Sequence, residues 1–197
     1  MSSGIVIDKT KFVSYQREFA ETNCIFIQDF LSQKVLDNLL KKITTKDFLT
    51  KIELDGVEKF GNVLALPSHH IAVMILNMML NDNNLLSILQ EITDCEKIND
   101  FVGRVHRSNI KELHEIGWHG DNSDNRLLAI TLCLGTTVYT GAEFQLRKKQ
   151  TAINLRQFGQ LNAGEAIIFK ISPELEHRLA PLQSGQRTVG VGWFRGN

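Results

Sequence analysis

The chain has 197 residues, which suffices for one domain with a substantial core and little more. Its 22 Lys and Arg balance its 22 Asp and Glu, so no basic excess indicates a nucleic-acid or membrane-surface partner. The sequence begins without the basic and apolar stretches of a signal peptide, and three widely spaced cysteines indicate no disulfide framework. We therefore expect a cytoplasmic protein with reduced thiols and a single domain over residues 1–197.

The first part of the chain, to about residue 95, is expected to be a mainly helical support region. Residues 24–28 (CIFIQ) predict a short strand. Ser32 suits the N-cap of a helix over KVLDNLLKKI, whose apolar side chains form one stripe. Ser68 suits the start of a second helix over HHIAVMILNMML, and a third helix is expected over NNLLSILQEI.

From about residue 96 to 197 the segments become short, β-branched and separated by turn residues. Many short strands without alternating helices predict an antiparallel sandwich or barrel. The expected strands are Phe101 to His106, Leu127 to Leu134, Glu143 to Arg147, Ala152 to Leu155, Ala166 to Ile171 and Thr188 to Phe194. The whole is expected to be a β core flanked by N-terminal helices.

A candidate metal site lies in the segment WHGDN, where His119 and Asp121 are two residues apart. Side chains at that spacing on an extended chain point to one side, so both could reach one ion. His177, which follows the apolar segment AIIFKIS, is a candidate third ligand. Two histidines and one carboxylate leave open coordination positions, as in non-haem iron(II) oxygenases. The pair alone is also compatible with a solvated turn.

Arg187 begins a strand in which Val189, Val191 and Trp193 share its face. If that face points inward, the arginine needs an anionic partner, and a bound carboxylate would suit its planar guanidinium. The alternative is an arginine at a strand end that extends to water. His106, on another expected strand, suits either the core or a pocket.

The strand from Leu127 to Leu134 also has two unlike faces. Residues 128, 130, 132 and 134 form a bulky apolar face suited to packing on helices. Residues 127, 129, 131 and 133 form a smaller face that includes Thr131 and Cys133. Such a face could line a small ligand cavity in a barrel, although tight packing explains it nearly as well.

In combination these segments resemble the 2-oxoglutarate/iron(II)-dependent dioxygenases, especially their prolyl-hydroxylase-like branch. The resembling motifs occur in family order from about Phe101 to the C-terminus: WHGDN, TGAEFQLR, NAGEAIIF and HRLAPLQSGQRTVGVGWF. The N-terminal FIQDFLSQKVLDNLL resembles the usual entry into these domains. Ala142, in TGAEF, stands where the family often has glycine.

The resemblance implies a double-stranded β-helix, or jelly-roll, with Fe(II) held by His119, Asp121 and His177. It implies that 2-oxoglutarate is a co-substrate, that Arg187 binds its distal carboxylate, and that O2 is consumed. A tyrosine often adds a second contact to that carboxylate, and the matching region here offers Thr131 or Cys133 instead. The implied reaction hydroxylates an unactivated C–H bond and releases succinate and CO2.

The sequence favours a small polar metabolite, such as an amino acid derivative, as the prime substrate, since no docking module, tail or basic patch is evident. Charges of both signs near the metal motif could pair with such a molecule: Arg107, Lys111, Glu112, Glu115, Asp124 and Arg126. A peptidyl or protein hydroxylase of the prolyl type is the alternative activity. Two further alternatives are a jelly-roll metal enzyme that does not use 2-oxoglutarate and a catalytically silent jelly-roll metal-binding module.

Overall fold

The structure, a computed structural model, describes residues 4–48, 50–53, 59–60, 62–110, 115–123 and 125–197, with the backbone alone for residues 50–53, 59–60, 62 and 115. The helices are α1 Phe12–Thr22, α2 Gln33–Leu40, α3 Ile71–Leu80 and α4 Asn83–Thr93. The strands are β1 Cys24–Ile27, β2 Thr50–Glu53, β3 Lys59–Phe60, β4 Asn62–Ala65, β5 Asp100–Asn109, β6 Glu115–His119, β7 Arg126–Cys133, β8 Thr140–Gly141, β9 Phe144–Lys148, β10 Asn154–Phe158, β11 Ala166–Lys170, β12 Leu175–Leu179, β13 Leu182–Ser184 and β14 Gln186–Arg195.

Two antiparallel sheets form the body of the molecule. The larger sheet has seven strands in the order β1-β11-β7-β14-β5-β4-β2, and the smaller has five in the order β10-β9-β12-β6-β3. Strands β13 and β8 form a separate short pair. The chain therefore crosses repeatedly between the sheets, as expected for a jelly-roll built from many short strands.

The helices cover one face of the larger sheet. The bulky residues of β7 and its end, namely Leu128, Ile130, Leu132 and Leu134, belong to the same apolar cluster as residues of α1, α3 and α4. The sequence prediction for this face is confirmed. Because these four side chains are at most 2% exposed, they contribute strongly to the hydrophobic stabilisation of the fold.

Helix α3 and its C-cap residue, Asn81, also satisfy backbone groups of strand β5. The Asn77 amide accepts from the Gly103 N–H at 2.9 Å and donates to its carbonyl oxygen at 3.0 Å. Asn81, one turn later, forms the same pair of bonds with Phe101 at 2.8 and 2.9 Å. Strand β4 pairs with β5 only at His106 and Arg107. The two asparagines, spaced i and i+4, therefore satisfy the backbone groups of β5 that β4 does not reach.

Several elements differ from the sequence predictions. Helix α1 was not predicted, and strands β2, β3 and β4 lie in the part expected to be mainly helical. Ser32 is the N-cap of α2, as predicted, but α3 begins at Ile71 rather than after Ser68. Its N-cap is His70, whose Nδ1 accepts from the Ala72 N–H at 3.2 Å. A histidine can accept this hydrogen bond as a serine does, but histidine is not among the residues usually preferred at the N-cap, so the sequence did not predict this helix start.

The later strands also differ in their bounds. The segment expected as Ala152 to Leu155 forms β10 at Asn154–Phe158, and β5 extends three residues beyond His106. Among the described residues no single helix is long and apolar enough to cross a bilayer. Only α3 and α4 taken together have the length and apolar composition of a membrane span, and a bend of 56° separates the two helices.

Candidate metal centre and substrate pocket

A pocket of about 170 Å³ lies between the two sheets. Strands β5, β7, β11 and β14 of the larger sheet form one wall, and β6, β9 and β12 of the smaller sheet form the other. Phe144, Phe169, Val189 and Val191 give it apolar walls. A largely apolar pocket with a few charged groups is the usual form of a small-ligand site.

The structure brings His119, Asp121 and His177 together in this pocket. His119 is the last residue of β6, and its cross-strand neighbour in β12 is His177. Asp121 follows β6 by two residues, with its carboxylate oxygens 3.8 Å from His119 Nε2 and 3.7 Å from His177 Nε2. One potential ligand atom of each residue lies within 4.8 Å of the other two. Two imidazoles and a carboxylate so arranged fit a divalent transition metal and leave coordination positions for other ligands.

Neighbouring groups orient two of these side chains. His119 Nδ1 lies 2.8 Å from the Gly117 carbonyl oxygen, which can only accept, so Nδ1 carries the proton and Nε2 presents a lone pair. The indole Nε1 of Trp193 donates to Asp121 Oδ2 at 2.9 Å. Arg126 Nη1 lies 3.8 Å from Asp121 Oδ1. Outer contacts of this kind fix the direction of metal ligands.

Trp193 is a site residue that the sequence did not identify as a partner of Asp121. Its place on the Arg187 face of β14 was predicted, and that face lines the pocket as a row of Arg187, Val189, Val191 and Trp193. The indole N–H could have been considered as a donor, because a buried tryptophan usually finds a hydrogen-bond partner.

Arg187 is 6% exposed and lines the pocket, so it does not extend to solvent. Its position in β14 is opposite Ser108 of β5. Its Nε is buried and has no hydrogen-bond partner among the residues that the structure describes. A buried guanidinium whose Nε has no acceptor in the described part of the chain fits the binding of an anionic ligand, and a carboxylate matches its geometry.

Thr131 and Cys133 are placed differently, although they share one face of β7. Thr131 lines the pocket and is 8% exposed. Cys133 is fully buried among apolar residues, and its Sγ lies 3.3 Å from the Leu161 carbonyl oxygen. Desolvation raises the pKa of the Cys133 thiol above its usual value. The structure thus brings Thr131, but not Cys133, to the pocket.

Strand β5 adds a row of polar residues that the sequence analysis did not assign to the site. Arg104, His106 and Ser108 all line the pocket, which places His106 in a pocket rather than in the apolar core. Their spacing of two residues is the signal that could have identified them, because alternate residues of a strand share a face. Lys111, Glu112, His114 and Asp124 lie outside the described residues, as does the side chain of Glu115.

No protein-family model matches the chain, and its sequence matches no curated protein. Solved structures do match over nearly the whole length. A prolyl-4-hydroxylase from Pseudomonas putida has a TM-score of 0.70 at 15% identity, covering 94% of this chain and 99% of that one. A 2OG-Fe(II) oxygenase family oxidoreductase from Burkholderia pseudomallei has a TM-score of 0.67 at 13% identity, covering 96% and 93%.

A third similar structure is a prolyl hydroxylase from Trichoplax adhaerens in complex with a peptide fragment of the hypoxia inducible factor oxygen degradation domain. Its TM-score is 0.67 at 11% identity, covering 96% of this chain and 94% of that one. The chain therefore has the double-stranded β-helix fold of the 2-oxoglutarate/Fe(II) oxygenases, with N-terminal helices. The predicted fold is confirmed, and at the level of the fold so is the resemblance to the prolyl-hydroxylase-like branch.

Proposed function

We propose that this protein is a 2-oxoglutarate- and Fe(II)-dependent dioxygenase that hydroxylates an unactivated C–H bond. The observation that carries the proposal is that two groups of residues occur together in one pocket. A cluster of two histidines and one aspartate shares that pocket with a buried arginine whose Nε has no partner among the described residues. The fold, common to oxygenases that use these two cofactors, agrees with the same chemistry.

In this proposal His119, Asp121 and His177 hold Fe(II), and Arg187 binds the distal carboxylate of 2-oxoglutarate. When bound, these groups and O2 would supply an oxidation in which 2-oxoglutarate becomes succinate and CO2 while one oxygen atom enters the substrate. The described residues fit both groups, because the donor set suits Fe(II) and the buried guanidinium suits a dicarboxylate. Thr131 is the proposed second contact to that carboxylate.

The protein's own contribution is orientation and the exclusion of water. The Gly117 carbonyl holds the proton of His119 at Nδ1, and Trp193 holds one carboxylate oxygen of Asp121. Phe169 packs against His177 with ring centroids 4.7 Å apart, which restricts the imidazole. Val189 and Val191 lie between Arg187 and Trp193 on the pocket wall, and apolar walls of this kind strengthen the electrostatic interactions of the charged groups beside them.

We propose a small polar metabolite, such as an amino acid derivative, as the prime substrate. The cavity of about 170 Å³ is smaller than the roughly 300 Å³ at the lower end of sites for drug-sized ligands. A cytoplasmic location, a single domain and the absence of nucleic-acid or membrane partners stay predictions from the sequence.

A peptidyl hydroxylase of the prolyl type is the second candidate. It is supported by the fold shared with two prolyl hydroxylases, one of which is in complex with a peptide. A peptide would place one side chain in the pocket while its backbone lies outside.

The test is succinate formation by the purified protein with Fe(II), 2-oxoglutarate and O2, each omitted in turn, with mass spectrometry of candidate substrates for an added oxygen atom. We expect succinate only when all three are present, and more of it with free amino acids and small metabolites than with a peptide pool. Metal binding without any succinate would instead support a silent metal-binding module. Turnover of a substrate without 2-oxoglutarate would support another class of metal enzyme.

A further inference from the structure

Besides Arg187, two arginines line the pocket, Arg104 and Arg178, and the proposed reaction uses neither. Arg104 lies on the same face of β5 as Ser108, four residues earlier, which places their Cα atoms about 13 Å apart along the strand. Ser108 is opposite Arg187, whereas Arg104 is opposite Val191, near Trp193. Arg187 and Arg104 therefore lie at opposite ends of the pocket. Arg104 lies at the end where Trp193 contacts Asp121.

Arg104 has neither a hydrogen bond nor an ion pair from its side chain to any residue in the part of the chain that the structure describes. Its guanidinium lies over the face of Trp193, whose ring centroid is 5.5 Å from the guanidinium carbon. The other arginines nearby are engaged. Arg126 pairs with Asp121 and lies 3.8 Å above Trp193, and Arg178 donates to Gln145 at 2.5 Å.

The charges around Arg104 favour an anion beside it. Desolvation and the positive charge of Arg126 both lower the pKa of Arg104, whereas Asp121 raises it. Asp121 is the proposed metal ligand, so its negative charge is shared with the ion and with Arg126. An incoming carboxylate near Arg104 would reduce the repulsion between the two arginines that flank Trp193, and it would match the planar fork of the guanidinium.

We propose that Arg104 binds a carboxylate of the prime substrate, which makes the substrate a small carboxylic acid of the free amino acid class. This inference rests on the proposed function, because it assigns Arg187 to 2-oxoglutarate and the Asp121 end of the pocket to the prime substrate. It also separates the two candidate activities. A residue inside a peptide has no α-carboxylate, whereas a free amino acid has one.

The test uses the twenty free amino acids and their matched carboxamides as probes, with succinate release as the readout. The variants are Arg104→Met, which removes the charge and nearly keeps the length, and Arg104→Lys, which keeps the charge without the fork. Arg17→Met, on the exposed side of α1, is the matched control. Arg104 lines the pocket but is exposed to solvent, so its replacement should leave folding intact, which thermal unfolding checks.

We expect at least one free acid to stimulate succinate release by the wild-type protein, and its carboxamide not to. Arg104→Met should raise the KM for that acid about tenfold or more, with the affinity for 2-oxoglutarate unchanged and Arg104→Lys intermediate. Quenching of tryptophan fluorescence by the same acid without O2 should show the same loss of affinity, which separates binding from turnover.

The inference is wrong if carboxamides stimulate as well as acids, if no free acid stimulates, or if Arg104→Met leaves the KM of the stimulating acid unchanged. The proposed function fails differently. In that case the wild-type protein would bind no 2-oxoglutarate and would form no succinate, even in the slow turnover measured without a prime substrate.

Discussion

The two faces of the larger sheet are built by the same strands and serve different purposes. The face toward the helices, which we call the helix-covered face, is mostly apolar and includes Val105, Leu128, Ile130, Leu132 and Phe194. The face toward the smaller sheet, the pocket face, includes Arg104, His106, Ser108, Thr131, Arg187 and Trp193. Because neighbouring residues of a strand point to opposite faces, stability and ligand binding are assigned to alternate residues. Substitutions of sequence neighbours should therefore have unrelated effects.

The largest effect is expected at the metal centre. Alanine at His119, Asp121 or His177 should lower turnover by more than about a hundredfold. Loss of a residue that only hydrogen-bonds to a metal ligand typically lowers activity by at most about that factor. The melting temperature of the metal-free protein should change little, since these side chains lie in the pocket and not in the helix-covered face. Succinate assays and thermal unfolding of the metal-free variants measure the two quantities. Near-normal turnover in any of the three would contradict the ligand assignment.

The next effect belongs to the helix-covered face. Leu132 is completely buried against the helices, so Leu132→Ala should reduce the free energy of unfolding by about 2–5 kcal/mol. The affinity of the folded variant for 2-oxoglutarate should equal that of the wild type, because the side chain points away from the pocket. Denaturant unfolding and equilibrium binding test this pair of expectations. A loss of affinity without a loss of stability would show that the two faces are coupled.

A smaller effect is expected at Thr131, which precedes Leu132 and faces the pocket. Thr131→Val removes one hydroxyl at nearly constant volume and should weaken 2-oxoglutarate binding about two- to tenfold, the range for one hydrogen bond. Cys133→Ala is the matched control, since Cys133 lies on the same face but is buried below the pocket. If Thr131→Val binds 2-oxoglutarate as tightly as Cys133→Ala does, Thr131 does not contact the carboxylate. If only Cys133→Ala binds 2-oxoglutarate more weakly than the wild type, Cys133 is the second contact to the carboxylate.

The smallest effect concerns the connection between β8 and β9, outside both faces. Ala142 has a φ of 53°, a left-handed conformation that favours glycine, which accounts for the glycine common there in the family it resembles. Ala142→Gly should therefore increase the free energy of unfolding by up to about 1 kcal/mol without changing turnover. Denaturant unfolding measures the difference. A destabilised Ala142→Gly variant would show that packing of the buried methyl group outweighs the backbone strain.

Short-range patterns predicted an antiparallel β core and the candidate metal ligands, whereas the double-stranded β-helix was predicted from the resemblance to a known family. The alternation in β7 and β14 identifies their faces, and the spacing of His119 and Asp121 identifies two candidate ligands. Contacts between distant strands were not predictable in the same way. The register that sets His177 opposite His119, and the bond from Trp193 to Asp121, depend on pairings across 58 and 72 residues of sequence.

Other differences have local causes. Helix α3 begins at an unusual cap, His70, and α1 has only two buried residues, so its apolar stripe is weak in the sequence. The lack of a partner for the Arg104 side chain among the described residues is evident only from the three-dimensional arrangement.

The central claim is that one pocket holds Fe(II) through His119, Asp121 and His177 and 2-oxoglutarate through Arg187. Its most direct test measures both ligands on two variants, by metal analysis and by equilibrium binding of 2-oxoglutarate without O2. We predict one Fe(II) per wild-type chain, loss of Fe(II) in His177→Ala, and full Fe(II) but at least about tenfold weaker 2-oxoglutarate binding in Arg187→Met. Full iron occupancy in His177→Ala, or unchanged 2-oxoglutarate affinity in Arg187→Met, would contradict the account.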